Sequence, residues 1–372
     1  DTPPQRREKE RERESDHRAM VPARTVLLCC VVVCLAAFAA ANYKCPAPGV
    51  PDFSCPLLTQ PLPAPDVRHL KPGNIKAVMA LGDSVTAGFA MVGVEPLEFR
   101  GDVYSTGGNS GAKTVANYLK HYSADLVGDC TGVTIPLTKK GKGLNVAVSE
   151  GQVQDLPAQI DVLVNLLHSK DYSHVLDEWK LLNLFIGANN LCVSCHGSTH
   201  GQPDFFETNL IAALTKVRQE IPKVFVNMLT IFNISQVWDS AQGNVYCQNI
   251  VPLFDECPCL NANATDRLVM DQQAQRFNEI TRKVAKQFEG LNDPQFTVVA
   301  QPGIENLYFA DLPTAEDFLS DVDCFHPSLC ADQAISVALW NNMFQPEGQK
   351  STSVDPTNVP HQHCPSDGEY IQ

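Results

Sequence analysis

Ile75-Lys-Ala-Val-Met-Ala-Leu-Gly82-Asp83-Ser84-Val85-Thr86-Ala87-Gly88 is the stretch on which the reading of this chain turns. An apolar run without polar alternation reads as a strand buried on both faces, and it leads without a linker into Gly-Asp-Ser. A serine is thereby placed at the carboxyl end of a strand, where open α/β sheets gather their ligands. That is a position for a nucleophile. It is not the G-x-S-x-G elbow, because Thr86 stands where the second glycine would be. The same serine also reads as the N-cap of a short helix after a glycine turn.

Outward from this stretch, apolar runs alternate with helical periodicity. Strands are expected at 75–81, 181–186, 223–229 and 296–300. Between and after them, four sets of residues each mark one buried helix face. These are Leu156, Ile160, Leu163, Leu167; Phe206, Leu210, Leu214, Val217; Phe277, Ile280, Val284, Phe288; and Ala331, Ile335, Ala338, Leu339. Strands alternating with helices point to an α/β fold with a central parallel sheet. One domain is expected over residues 74–344, with no flexible linker inside it. The Pro-rich stretch 42–73 reads as an extended lead-in, with Cys45 and Cys55 as candidate pins. Residues 345–372 read as a polar tail, and His361-Gln-His363-Cys364 within it as surface without a fixed scaffold.

The chain has 372 residues, 28 Lys plus Arg against 42 Asp plus Glu, a net charge of −14 and 44% hydrophobic residues. This is a globular composition. Its acidic balance offers no source for general attraction to phosphate backbones, which excludes nucleic acid as a partner. The long apolar run Val26 to Ala41 is shorter than the roughly 20 residues of a spanning helix. It follows Met20-Val-Pro-Ala-Arg24 and ends in small residues, the pattern of a secretory signal cut near Ala41. Residues 1–19 are therefore expected to lie upstream of the true start, and 20–41 to be a signal peptide. Fourteen cysteines fit export; with Cys29, Cys30 and Cys34 removed, an odd number remains. The sequons at Asn233 and Asn263 are glycosylation candidates. The expected location is extracellular.

A serine needs a base at neutral pH. Among ten histidines, His326 lies in Asp323-Cys-Phe-His326-Pro327, where a carboxylate three residues earlier can hold Nδ1 and leave Nε2 for Ser84. An isolated D-x-x-H is also an ordinary helix-entry pattern. Donors for a developing oxyanion are offered by Gly187-Ala-Asn189-Asn190, after another strand, and by the glycine-rich turn Ser105-Thr-Gly107-Gly108-Asn109. Taken singly, both are ordinary turns.

Together and in this order, the four segments resemble the SGNH, or GDSL, hydrolase superfamily. Gly82-Asp83-Ser84 with Thr86-Ala-Gly88 is similar to its first block, Gly107-Gly108 to its second, Gly187-Ala-Asn189-Asn190 to its third and Asp323-Cys-Phe-His326 to its fifth. Phe99-Arg100-Gly101, Leu191-Cys192 and Cys324-Phe325 resemble the membrane-associated phospholipase B group. The resemblance implies a three-layer α/β/α, flavodoxin-like fold and no metal or cofactor. It implies Ser84 as nucleophile, His326 as base and Asp323 as its orienter. The implied oxyanion hole is made by the Ser84 and Gly108 amides and the Asn189 side chain. Family members usually carry Asp after the third-block asparagine and often after the second-block glycines; here Asn190 and Asn109 keep the hydrogen bonding without the charge.

Cys192-Val-Ser-Cys195-His196 matches the spacing for haem attachment, and His200 adds a zinc option. In an exported chain, disulfides are the expected use. The apolar loop Phe89 to Phe99 either lines an acyl-chain groove or packs as core. The function expected is a secreted serine esterase or lipase. Its substrates are fatty-acyl esters of phospholipids or lysophospholipids, met by peripheral contact with lipid aggregates. The alternatives are a GDSL carboxylesterase on another ester and an exported ligand-binding protein on the same fold.

Overall fold

The computed structural model describes residues 45, 49–59, 62–93, 95–136, 143–309 and 315–372. The segment 1–19 and the signal-like segment 20–41 lie outside the described residues. Four parallel strands form the sheet in the order β1 (Ile75–Gly82), β2 (Trp179–Phe185), β3 (Val224–Leu229) and β4 (Phe296–Gln301). Register pairs Val78 with Leu181, Leu182 with Val226 and Val226 with Val298. The other edge of β1 is covered rather than open: Val78 N donates to Val127 O and Ala80 N to Leu144 O, so two short extended pieces close it.

The helices are α1 (Ser84–Ala87), α2 (Val115–Tyr122), α3 (Leu156–Leu167), α4 (Ala188–Leu191), α5 (Pro203–Glu220), α6 (Gln236–Ala241), α7 (Val245–Phe254), α8 (Pro258–Asn261), α9 (Ala264–Glu289) and α10 (Leu329–Asn342). Helices α3, α5 and α9 pack side by side, with α3 on β1 and α9 on β3 and β4; α2 packs on α10. Every apolar helix position named from periodicity is buried. All strand positions but Lys76, Val299 and Ala300 are buried, as a sheet covered on both faces requires. Three amide side chains inside the sheet form a chain of hydrogen bonds. Asn227 Nδ2 donates to Asn183 Oδ1, and Gln301 Nε2 donates to Asn227 Oδ1.

The expectation that the tail lacks a scaffold is corrected. Cys364 is bonded to Cys55, Trp340 Nε1 donates to His363 O, and Gln362 Nε2 donates to Pro51 O. The lead-in and tail thus close on each other over α10, and Phe53 stacks on Tyr118. Cys45 is pinned to Cys330. No helix among the described residues is long and apolar enough to cross a membrane.

Candidate active site

Strand β1 ends at Gly82, where a Cβ would lie 2.4 Å from Phe185 O and 2.5 Å from Thr86 Oγ1. Only glycine lets the chain turn this tightly against β2. Asp83, not Ser84, is the N-cap of α1: its Oδ1 accepts from Val85 N at 3.0 Å. Its Oδ2 is buried without a hydrogen-bond partner among the described residues, and burial pushes the carboxyl up to about 7. Ser84 follows as the first helical residue, nearly buried.

Ser84 Oγ lies 2.7 Å from His326 Nε2, and His326 Nδ1 lies 2.8 Å from Asp323 Oδ2. The other Asp323 oxygen accepts from the Phe325 and His326 amides at 2.8 and 3.0 Å. Burial alone would raise the Asp323 carboxyl, but His326 and these amides hold it below its usual range. Burial alone would lower His326; Asp323 first, then Glu256 and Asp83, outweigh it and push the imidazole up to about 9. The rings of Phe89 and Phe325 meet the imidazole edge-on at 4.9 and 5.2 Å.

The loop that carries His326 is held by distant partners. Ser320 Oγ donates to Ala90 O, Ser320 N to His326 O and Leu329 N to Met91 O. Cys324, in the left-handed region at φ 53, is bonded to Cys247. Two further disulfides, Cys192–Cys257 and Cys195–Cys259, fasten the same 244–261 segment to the loop after β2. They consume the thiols of the C-x-x-C-H motif. With Cys55–Cys364 and Cys45–Cys330, ten cysteines are paired and buried Cys130 is the odd one left. Among the described residues two sets of potential metal ligands cluster. In the first, Cys195 and Cys259 lose their thiols to a disulfide beside His196, and the second is Glu256, Asp323 and His326, an imidazole set against two carboxylates.

At the end of β2, Gly187 (φ 112) turns the chain into α4 and carries Asn189 and Asn190 over the carboxyl edge. Asn189 Nδ2 donates to Gly151 O at 2.9 Å, which leaves its second hydrogen. Asn190 Oδ1 accepts from Val153 N, and its Nδ2 donates to His200 O. It takes a donor and an acceptor at once, as an ionised Asp would not.

The Gly108 assignment is corrected. Its amide donates to Cys130 O at 2.7 Å, and a Cβ there would meet Asp129 Oδ2, so this turn is internally satisfied. Between the Ser84 turn and Asn189 runs a segment that the sequence reading passed over, Asn145 to Gly151. Val148 N donates to Gly82 O, and Glu150 sits in the left-handed region at φ 67. Its signal was a strand-like run ended by Ser-Glu-Gly, the same grammar as Gly-Asp-Ser. The buried pair Arg100–Glu98 fastens it: Arg100 Nη1 donates to Asn145 Oδ1, Arg100 Nη2 to Ala147 O, and Ser149 Oγ to Glu98 Oε1. In the Phe89–Phe99 loop, Met91, Val92, Leu97 and Phe99 form a small core of their own with Leu329. Core packing therefore prevails there, and of the loop's described apolar side chains Phe89 borders the histidine.

The GDSL-like lipase/acylhydrolase family model matches residues 78–338. The chain belongs to this family. It is 34% identical over 319 residues to membrane-associated phospholipase B1 of Homo sapiens, covering 81% of this chain and 22% of that protein. To the Rattus norvegicus counterpart it is 30% identical over 318 residues, 80% of this chain and 22% of that one. The chain thus spans about a fifth of the length of these relatives. A solved structure of a putative GDSL-like lipase from Parabacteroides merdae is similar at TM-score 0.42 and 15% identity, over 74% of this chain and 97% of that one. As a member of the GDSL family the chain is an ester-hydrolysing enzyme by kind.

Proposed function

We propose that this enzyme hydrolyses fatty-acyl esters of phospholipids or lysophospholipids through an acyl-serine intermediate. The observation that carries the reading is the unbroken relay Ser84, His326, Asp323, with contacts of 2.7 and 2.8 Å. His326 takes the Ser84 proton at Nε2 as Oγ attacks the ester carbonyl, and Asp323 holds Nδ1–H and stabilises the imidazolium without taking its proton. The oxyanion is met by the Ser84 amide and the second Nδ2 hydrogen of Asn189. The Glu150 amide, like that of Ser84 without an acceptor among the described residues, takes the place expected for Gly108. The imidazolium then protonates the leaving alcohol, and water activated by the same ring splits the acyl-serine.

A lipid substrate is supported by α7. Val245 and Leu253 are 75% and 73% exposed, Tyr246 and Phe254 are half-exposed, and the helix carries no charge. Tyr246 Oη donates to Val322 O, so this apolar face stands beside the base loop and suits contact with a lipid aggregate. The similarity to phospholipase B1 points the same way. Five disulfides support an oxidising compartment and hence the signal at 20–41, with glycans at the exposed Asn233 and Asn263.

The test is kcat/KM of the purified protein, with Ser84→Ala as control, on p-nitrophenyl esters from acetate to laurate and on phosphatidylcholine and lysophosphatidylcholine. The expected result is turnover of at least one phospholipid and a rise with chain length. Preference for acetate with no phospholipid turnover would leave a carboxylesterase on another ester.

A further inference from the structure

Glu256 is an acidic side chain that the relay does not use. It lies two residues beyond α7 and next to Cys257, between the staples that tie this segment to the base loop and to the loop after β2. Its Oε2 is 3.3 Å from His326 Nδ1, the nitrogen that Asp323 Oδ2 meets at 2.8 Å. That oxygen is buried and has no hydrogen-bond partner among the described residues. Around it stand the apolar Val251, Phe254, Leu260 and Phe325, together with Asn261, whose Nδ2 is spent on Val251 O and Asp255 Oδ1. An unpaired buried carboxylate oxygen is costly, and its placement against a ring that becomes cationic during turnover gives it a partner at that moment.

Resting on the esterase reading above, we propose that Glu256 is a positioning residue, a second carboxylate that holds the His326 ring against Asp323 and steadies the imidazolium formed when Ser84 gives up its proton. One proton moves in this step, from Ser84 Oγ to His326 Nε2. Nδ1 keeps its hydrogen, and both carboxylates stay ionised. The charged and titratable groups facing His326 are Asp323 from its own loop, Glu256 from the stapled segment, and Asp83 from the nucleophile turn. Glu150 in turn faces Glu256. Burial pushes the Glu256 carboxyl up, His326 pulls it down, and Asp323 and Glu150 add to the rise. Glu256 therefore carries its charge best while the ring is cationic.

Glu256→Gln keeps the shape and removes the charge. The neutral ring is the base, so a lower imidazole pKa moves the acid limb of kcat/KM to lower pH. The expected shift is about half a unit or more, and the high-pH plateau falls by about 3- to 30-fold. NMR titration of the His326 ring in the resting protein moves in the same direction and needs no turnover. Asp323→Asn, measured alongside, gives the larger shift. If neither the limb nor the ring titration moves, the proposal is overturned. An inactive wild type whose ring titration still shifts in Glu256→Gln keeps the Glu256 coupling and removes the esterase reading instead. Should Glu256→Gln not fold, Glu256→Asp withdraws the carboxylate by one methylene, and the same two readouts decide.

Discussion

The nucleophile turn and the base loop meet at 2.7 Å, yet they are built in opposite ways. Ser84 is set by its neighbours: Asp83 caps Val85 N, Ala87 N donates to Asp83 O, and Phe89 N donates to Ser84 O. His326 shares a local link to Asp323 but owes its place to far parts of the chain. Cys247 bonds Cys324 across 77 residues, and Ser320 Oγ reaches Ala90 O across 230. A local turn needs little beyond its own sequence, whereas a loop made of distant contacts needs a staple to hold an imidazole within hydrogen-bond reach. Preorganisation is thus supplied to one half of the site by short-range capping and to the other by covalent cross-linking.

The largest expected effect comes from breaking the meeting point itself. Ser84→Ala and His326→Ala should each lower kcat by about 10³-fold or more, and the double variant should be scarcely worse than either. Additive losses in a double-mutant cycle on one ester would mean that the two halves do not act as a unit.

A smaller effect separates the two halves. Opening the staple with Cys247→Ser and Cys324→Ser should lower kcat by about 10- to 100-fold with little change in KM, because the base loses its place while the nucleophile keeps its own. Opening Cys55–Cys364, which ties the lead-in to the tail, should cost a similar stability, about 2–4 kcal/mol, and leave kcat within about 3-fold. Thermal melts and steady-state kinetics on both pairs check this. Equal kcat losses in the two pairs would dissolve the comparison.

The same contrast explains what could be read before the structure. Gly82-Asp83-Ser84 and Asp323-Cys-Phe-His326 were legible because their geometry is local, and the four strands because burial on both faces leaves an unbroken apolar run. Glu256 was not, since 70 residues of chain and two disulfides bring it to His326, and cysteine spacing does not state connectivity. Gly108 was misplaced because a glycine-rich turn advertises open amides without saying where they point; its amide is spent on Cys130 O. The apolar loop from Phe89 to Phe99 carried the same ambiguity, as composition does not separate a groove lining from a small core. The tail read as loose because polar composition is silent about Cys364 and the Trp340 bond to His363 O.

The central claim is that Ser84 is a nucleophile activated by His326. It is tested most directly by treating the full chain with a long-chain alkyl fluorophosphonate and locating the adduct by peptide mass spectrometry while esterase activity is followed. One covalent adduct per chain on the peptide containing Ser84, formed in step with the loss of activity and absent from Ser84→Ala, is the predicted result. Complete inactivation with Ser84 unlabelled, or equal labelling of Ser84→Ala, would contradict it.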